Sequence, residues 1–481
     1  MERIITAAEA KQKDAQVIAS GISSRVLMYN AAEGIAEAVR IRIQTGETVT
    51  AICGIGNNGG DGVAAALILH RTGCTVRIVL CGNEDRCTPD TAYYLHTARE
   101  EHIPIAGIWD TAEREILIDA LFGVGLNRPI EGEAKTLIER INASGKTVVS
   151  ADLPSGLHAD SGMILGEAIR ANCTVTMQSI KAGMLLGQGR ACCGEVIVNP
   201  LYDDPSDVRM FRQDEAEIAK LLPKRAFDSH KGSNGHALLC VGSATYPGAA
   251  LLCAKAALRG GAGLLTVCMP DPVRPFFAVL PEAITVPTGT EDWCVSASET
   301  VRHAMNRKQA IGIGSGAGKG DLTSVIETAL LSGTKLVLDA DALNQMAVHR
   351  ELLSLLHENT VLTPHVGEMA RLLDTTIEDV TRDPIAAVRS FPCTTLLKGA
   401  TTLIHSKGRI AFSTFGNPGL AKGGSGDVLT GLITAMLAQG MEPFDAARTG
   451  AYLLGVSADR AMKLLGERAL LASDVIDMVQ Y

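Results

Sequence analysis

The chain has 481 residues, 46% of them hydrophobic, which exceeds what one core usually organises and sets two domains as the expectation. Its 53 Asp plus Glu outnumber 44 Lys plus Arg, and a net charge of -9 argues against nucleic acid or a membrane surface as a general partner. No apolar run is long enough to cross a bilayer.

The first strand-like run is "TVTAIC". It is followed by "GIGNNGGDGVAAALILH", residues 54–70, a turn leading into a helical pattern, and then by "TVRIVLC", so the three together predict a β-α-β unit. Read literally, the turn is a G-x-G-x-x-G fingerprint, in which glycines let the backbone approach a pyrophosphate at a helix N-terminus. The acidic ribose partner expected about 20 residues on is missing at that distance, since Glu84 and Asp85 lie further along. Asn57, Asn58 and Asp61 instead add side-chain oxygens beside Gly59 and Gly60. A ligand at this helix start is the expectation; a tight turn N-capped by Asp61 is the plainer alternative.

Further along, "EILIDALFG", "KTVVSADLPSG" and "CTVTM" continue the alternation and imply a parallel sheet with helices on both faces. Ligands of such sheets sit beyond the carboxyl ends of the strands. Asp61, Asp119, and Asp152 with Ser155 all fall there, and "DALFGVGLNRP" adds a second glycine loop at Gly123 and Gly125 with Arg128 as a phosphate clamp. Oxygen donors such as Asn58, Asp119 and Ser155 suit a hard cation. Taken singly, Asp119 also reads as a loop cap and Asp152 as an Asx-turn before Pro154.

In this order, "LMYNAAEGIA", "GIGNNGGDG", "DALFGVGLNRPI" and "ADLPSGLHADSG" resemble the YjeF N-terminal family, epimerases of hydrated nicotinamide dinucleotides. The resemblance implies that hydrated NADH or NADPH is bound by Asn57, Asn58, Gly59, Gly60 and Asp61, by the loop with Gly123, Gly125 and Arg128, and by Asp152. It also implies K+ on Asn58, Asp119 and Ser155. Epimerisation at a ring carbon next to nitrogen needs loss and return of a hydroxyl through a cation that a carboxylate stabilises, and Asp152 is the catalytic candidate.

Residues 200–222, rich in proline and charge and ending in a short helical segment, read as the linker region. Beyond it the alternation resumes with "HALLCVG", the helix "GAALLCAKAALRGGAG", and the strands "LLTVCMP", "QAIGIG", "KLVLDAD", "TVLTPH", "TTLLKGA" and "TTLIHS". Asp339, Asp341, His365 and Glu368 fall at strand ends, and Lys398 with the amides of Gly399, Ala400, Thr401 and Thr402 suits a phosphate or ribose. The sharpest signal is "GNPGLAKGGSGDVLTGLITAMLAQG". Glycines lead into a helix with Asp427 in its first turn, so amides form an anion hole while the carboxylate faces a hydroxyl to be phosphorylated. A helix-start aspartate favoured by the dipole is the plainer reading.

The set "KGSNG", "YPGAA", "LDADALN", "LTPHVGE", "LLKGATTLI" and "GLAKGGSGDVLTG" resembles the ADP-dependent NAD(P)H-hydrate dehydratase branch of the ribokinase superfamily. That resemblance implies substrate contacts at Ala249, Gly316, His365 and Asp427, nucleotide contacts at Lys398, Gly399, Ala400, Thr401, Thr402 and Gly426, and Mg2+ for the phosphoryl step with ADP as co-substrate. The expected α/β architecture is therefore an N-terminal Rossmann-like three-layer αβα domain over 1–205, a linker over 206–222, and a ribokinase-like α/β domain over 223–481. The two halves together would epimerise the S and R hydrates and dehydrate the S form, with Asp427 and Asp152 catalytic, in what is expected to be a homo-oligomer. A vitamin or sugar kinase with an N-terminal ligand-binding module is the alternative, and an NAD-dependent dehydrogenase is disfavoured by the missing ribose acid. Twelve cysteines without a C-x-x-C pair, several inside apolar runs, read as reduced core residues, and with no signal-peptide core at the N-terminus they point to the cytoplasm.

Overall fold

Strands alternate with helices twice, once within Glu2–Val208 and once from Arg209 onward, in a computed structural model that describes residues 2–480. The strands of the first unit are β1 (Glu2–Ile5), β2 (Thr48–Cys53), β3 (Val76–Leu80), β4 (Ile105–Ala106), β5 (Glu115–Ala120), β6 (Thr147–Ala151), β7 (Cys173–Met177), β8 (Ile180–Lys181) and β9 (Glu195–Asn199). Seven of them form a parallel sheet in the order β4-β3-β2-β5-β6-β7-β9, and β1 pairs in parallel with β8.

Side chains of a strand alternate between faces, so an unbroken apolar run must be covered on both sides. Val49, Ala51 and Cys53 of β2 join one core with Ile35 and Val39 of helix Ser24–Arg42 and Leu67 of helix Asn57–Arg71. Ile52 points into the other, with Ile138 and Ile141 of helix Gly132–Ala143. Each such aliphatic side chain contributes about 1.5–3 kcal/mol on burial. The three-layer αβα expectation follows directly from these two cores.

The chain runs outward from β2 to β3 and β4, then returns to place β5 on the other side of β2. That reversal is a topological switch point, and it opens a crevice between the β2 and β5 loops at the carboxyl edge.

In the second unit the strands are β10 (Met210–Arg212), β11 (His236–Cys240), β12 (Leu264–Met269), β13 (Ile284–Pro287), β14 (Ala310–Ile313), β15 (Lys335–Leu338), β16 (Thr360–Leu362), β17 (Thr394–Leu397), β18 (Thr402–Ser406) and β19 (Arg409–Ser413). Their order is β13-β12-β11-β14-β15-β16-β17-β18-β19-β10, parallel except for the β17-β18-β19 meander. Here the switch point lies between β11 and β14.

The segment read as a linker is partly structural. β10 buries Met210 and Phe211 against β19, and helix Glu215–Leu221 follows with Asp214 as its N-cap. Arg448, buried on helix Pro443–Leu465, binds Glu217 at 2.8 Å and stands 4.9 Å from the Phe211 ring centroid. An aromatic and a carboxylate together hold this cation, so from residue 209 on the chain belongs to the second unit. A three-residue strand carries too little periodicity to be read from sequence.

Helix Ser425–Ala438 is buried on nearly every side, as its almost wholly apolar sequence requires. It crosses helix Pro247–Arg259 so closely that a Cβ on Gly431 would lie 2.2 Å from the Cys253 carbonyl oxygen. Backbone cannot yield as a side-chain tip can. Gly431→Ala is therefore expected to cost about 1–3 kcal/mol, and an unchanged thermal unfolding midpoint would show that the two helices part freely.

Candidate active sites

In the first unit, Gly56 is the N-cap of helix Asn57–Arg71, so Asn57 to Gly60 form the first turn and Asp61 follows it. Asp61 is not the N-cap that the plainer alternative made it. The glycines are steric: a Cβ at Gly59 would lie 1.8 Å from the Gly54 carbonyl oxygen and one at Gly60 2.6 Å from the Thr91 hydroxyl. Both are buried, which brings the helix N-terminus hard against the end of β2.

Next to it lies a cavity of about 720 Å³, lined by Asn57, Asn58, Asp61, Gly123, Gly125, Arg128 and Asp152 among the expected residues. That is the volume of a small-molecule or cofactor site.

Asp119 ends on the buried side of β5, where it accepts from the Ser155 hydroxyl at 2.5 Å, the Ser155 amide at 2.9 Å and the Ser150 hydroxyl at 2.7 Å. Burial raises its pKa, and these donors oppose the rise. The Phe122 amide in turn donates to the Ser155 hydroxyl at 2.9 Å, and Asn58 packs under the neighbouring Gly123, where a Cβ would lie 3.1 Å from its amide carbon. Asn58 Nδ2 is buried without a hydrogen-bond partner. Three oxygen-bearing side chains thus border one loop.

Asp152 takes a left-handed conformation, φ 63°, which a non-glycine residue adopts only when its surroundings fix it. The Met177 amide donates to Oδ1 at 3.0 Å, and the Lys181 ammonium pairs with the same oxygen. Lys181, 2% exposed, also donates to Thr176 Oγ1 at 3.1 Å and to the Met177 carbonyl at 2.8 Å. Sequence reasoning missed it; the signal was a single charge inside the apolar run "SIKAGMLLG". Asp61 and Asp14 face the same place. Burial, with Asp152 and Asp14 adding to it and Lys181 opposing, pushes the Asp61 carboxyl well above the ordinary range and favours its protonated form.

In the second unit the loops at the switch point bring Ala249 and Gly316 together: a Cβ on Gly316 would lie 2.5 Å from that of Ala249. Asp427 occupies the first turn of helix Ser425–Ala438, behind the N-cap Gly424 at φ 100°. Lys398, at the end of β17, lies 2.7 Å from Asp339 and 3.7 Å from Glu368, and a Cβ on Gly426 would stand 3.6 Å from its ammonium. Burial alone would lower the Lys398 pKa, yet the Asp339 and Glu368 carboxylates override it and hold the pKa up. Asp339 is fully engaged, accepting also from Thr363 at 2.8 Å and Thr430 at 2.9 Å. Burial first, then the Asp339 charge, raises Asp427 to about 6, against the Ser315 hydroxyl and the Lys398 ammonium.

His365 caps helix Val366–Leu373, its Nδ1 accepting from the Gly367 and Glu368 amides, while its backbone bridges to Lys398. The ring is half exposed at the same edge. Lys398, Gly399, Ala400 and Thr401 connect β17 to Thr402, the first residue of β18.

Residues 237–480 match the family model described as NAD(P)H-hydrate dehydratase, and residues 24–183 the one described as YjeF-related protein N-terminus. The chain is 34% identical to the bifunctional NAD(P)H-hydrate repair enzyme of Coxiella burnetii, over 97% of this chain and 96% of that one. It belongs to the bifunctional NAD(P)H-hydrate repair enzymes. Members of this repair family from Moorella thermoacetica and Escherichia coli K12 are 34% and 30% identical, over 99% and 96% of this chain and 96% and 90% of theirs. Among solved structures, the chain is 29% identical to the ADP/ATP-dependent NAD(P)H-hydrate dehydratase from Bacillus subtilis co-crystallized with ATP and Mg2+, over 55% of this chain and 95% of that one, with a TM-score of 0.49.

The chain is accordingly an enzyme of nicotinamide nucleotide repair, with an epimerase and a dehydratase domain, and the vitamin or sugar kinase alternative is not favoured. Were Asp427 the base of the dehydratase half, it would have to be ionised to take a proton, and activity would be expected to fall as pH drops through about 6. Initial rates of AMP formation across pH 5–8 (about that span) check this. Lys398→Met removes an opposing cation, so the acid limb is expected to move to higher pH; a limb that stays put would exclude Asp427 as the titrating group.

Proposed function

We propose that the second unit dehydrates the S hydrate of NADH or NADPH by phosphorylating its ring hydroxyl, and that the first unit interconverts the S and R hydrates. The reading rests above all on Asp427, a carboxylate of raised pKa in the first turn of a helix, beside the Lys398 ammonium. Hydroxide is a poor leaving group. Asp427 takes the proton of the ring hydroxyl, the hydroxyl oxygen attacks the terminal phosphoryl of ADP, and AMP departs. Loss of a ring proton then expels phosphate and restores the reduced nicotinamide. The amides opening helix Ser425–Ala438 and the Lys398 ammonium face the transferred charge.

Magnesium takes one or two carboxylates and otherwise the substrate's phosphates. Among the described residues no group of three or more His, Cys, Asp or Glu could hold a metal, so Mg2+ fits as an ion arriving with the nucleotide, with Asp339 and Glu368 the carboxylates beside Lys398. It supplies neutralisation of phosphate charge.

In the first unit, departure of the hydroxyl leaves a ring cation facing Asp152, which Lys181 holds in place. Asp61, whose carboxyl burial and the neighbouring acids push upward, is a candidate to give the departing hydroxyl its proton. Asn58, Asp119 and Ser155 would hold K+. Their side-chain oxygens border one loop and suit a hard monovalent cation, which would supply positive charge beside the 123–128 loop.

Mixed R and S hydrates of NADH, incubated with ADP, Mg2+ and K+, should return fully to reduced nicotinamide with one AMP per turnover. Asp152→Asn is expected to leave only the S share recovered quickly, and Asp427→Asn to abolish AMP formation. A phosphorylated product that accumulates would overturn the dehydratase chemistry. Replacing K+ by Li+ should slow epimerisation, read from the interconversion of the separated epimers; an unchanged rate would remove the ion from this site.

A further inference from the structure

Three cations line the cavity of the first unit: Lys181, Arg128 and Lys11. Lys181 is committed to Asp152. Lys11 and Arg128 have no hydrogen bond or ion pair among the described residues, in a chain whose net charge is -9. Lys11 stands on helix Ala7–Ala19, outside the region 24–183 that matches the epimerase family model.

That helix is fixed from several directions. Thr6 and Glu9 form a capping box, the Ala7 amide donates to Asp160 at 2.6 Å, and Lys13 and Arg3 both pair with Asp204. Lys13 is thereby used for structure, and Lys11 is left facing the cavity, where a Cβ on Gly125 would lie 3.9 Å from its ammonium. The 123–129 loop carries Arg128 and no acid. Asp14, one turn further along the helix, interacts with the charges of Lys181 and Asp152. Three residues advance a helix by about 4.5 Å, so Lys11 sits one short step from the reacting end of the cavity.

We propose that Lys11, with Arg128 across the 123–128 loop, binds the pyrophosphate of the hydrated dinucleotide, making helix Ala7–Ala19 a wall of the epimerase site. The inference rests on the epimerase reading of this cavity. The pyrophosphate is one ribose away from the nicotinamide, whereas the 2′-phosphate of the NADPH form lies beyond the second ribose. A cation one helical turn from the reacting end reaches the first and not the second. Both substrates therefore depend on Lys11 alike.

Epimerase kinetics of the full-length Lys11→Ala and Lys11→Arg variants, with hydrated NADH and hydrated NADPH, test this. Lys11→Ala should raise KM about tenfold for both substrates with kcat little changed, Lys11→Arg should restore most of the affinity, and the dehydratase KM should stay as in the parent. An unchanged epimerase KM in Lys11→Ala, or a rise confined to the NADPH form, would overturn the proposal. A parent enzyme without epimerase activity would instead remove the reading beneath it. Alanine is a better helix former than lysine at an exposed position, so the variant keeps its helix.

Discussion

Strands that run parallel must be rejoined by helices that return over the sheet, so the carboxyl ends of all of them collect along one edge. Everything chemical in both units depends on that constraint. Asp61, Asp119 and Asp152 stand far apart in sequence, as do Asp339, Lys398 and Asp427, yet each trio falls on one edge because every strand ends there. The order reversal beside β2, and again beside β11, parts two neighbouring loops and leaves room for a ligand.

Each unit then places a lysine at this edge, fully buried in one case and partly in the other, against an aspartate that closes a strand: Lys181 on Asp152 and Lys398 on Asp339. Taking one such charge out of water costs several kcal/mol, and a close partner with further hydrogen bonds offsets it. A second carboxylate in each unit is left without that partner. Asp61 and Asp427 feel the burial and the neighbouring negative charge, and their carboxyls rise.

The long apolar runs "TVTAIC", "EILIDALFG" and "HALLCVG" were legible as strands because their length and β-branched content leave little else possible, and helix Ser425–Ala438 was legible from its glycine entry and apolar body. Short edge strands were not: β10 has three residues and β13 ends in a proline, so neither shows a period. Asp61, Asp152, Lys398 and Asp427 could be chosen because a polar residue directly after a strand, or opening a helix, has no packing reason to be there. Lys181 was signalled only by being a lone charge in an apolar run, and Lys11 stood among ordinary charges on an amphipathic helix.

The sequence by itself determined the α/β class and the presence of two α/β units, and it offered candidate side chains for acid-base and phosphate chemistry, since these depend on local periodicity and on residue type at strand ends; it set the second unit's start too late, at 223 rather than 209. Only the tertiary structure decided which lysine neutralises which aspartate, that Asp61 lies inside its helix and Asp214 caps one, and that an N-terminal helix closes over the cavity. The two lysine–aspartate pairs join residues 29 and 59 positions apart, and the N-terminal helix is tied down through Lys13 and Asp204, further apart still. Burial and charge at a site are sums over everything folded around it, and no local stretch of sequence contains that sum.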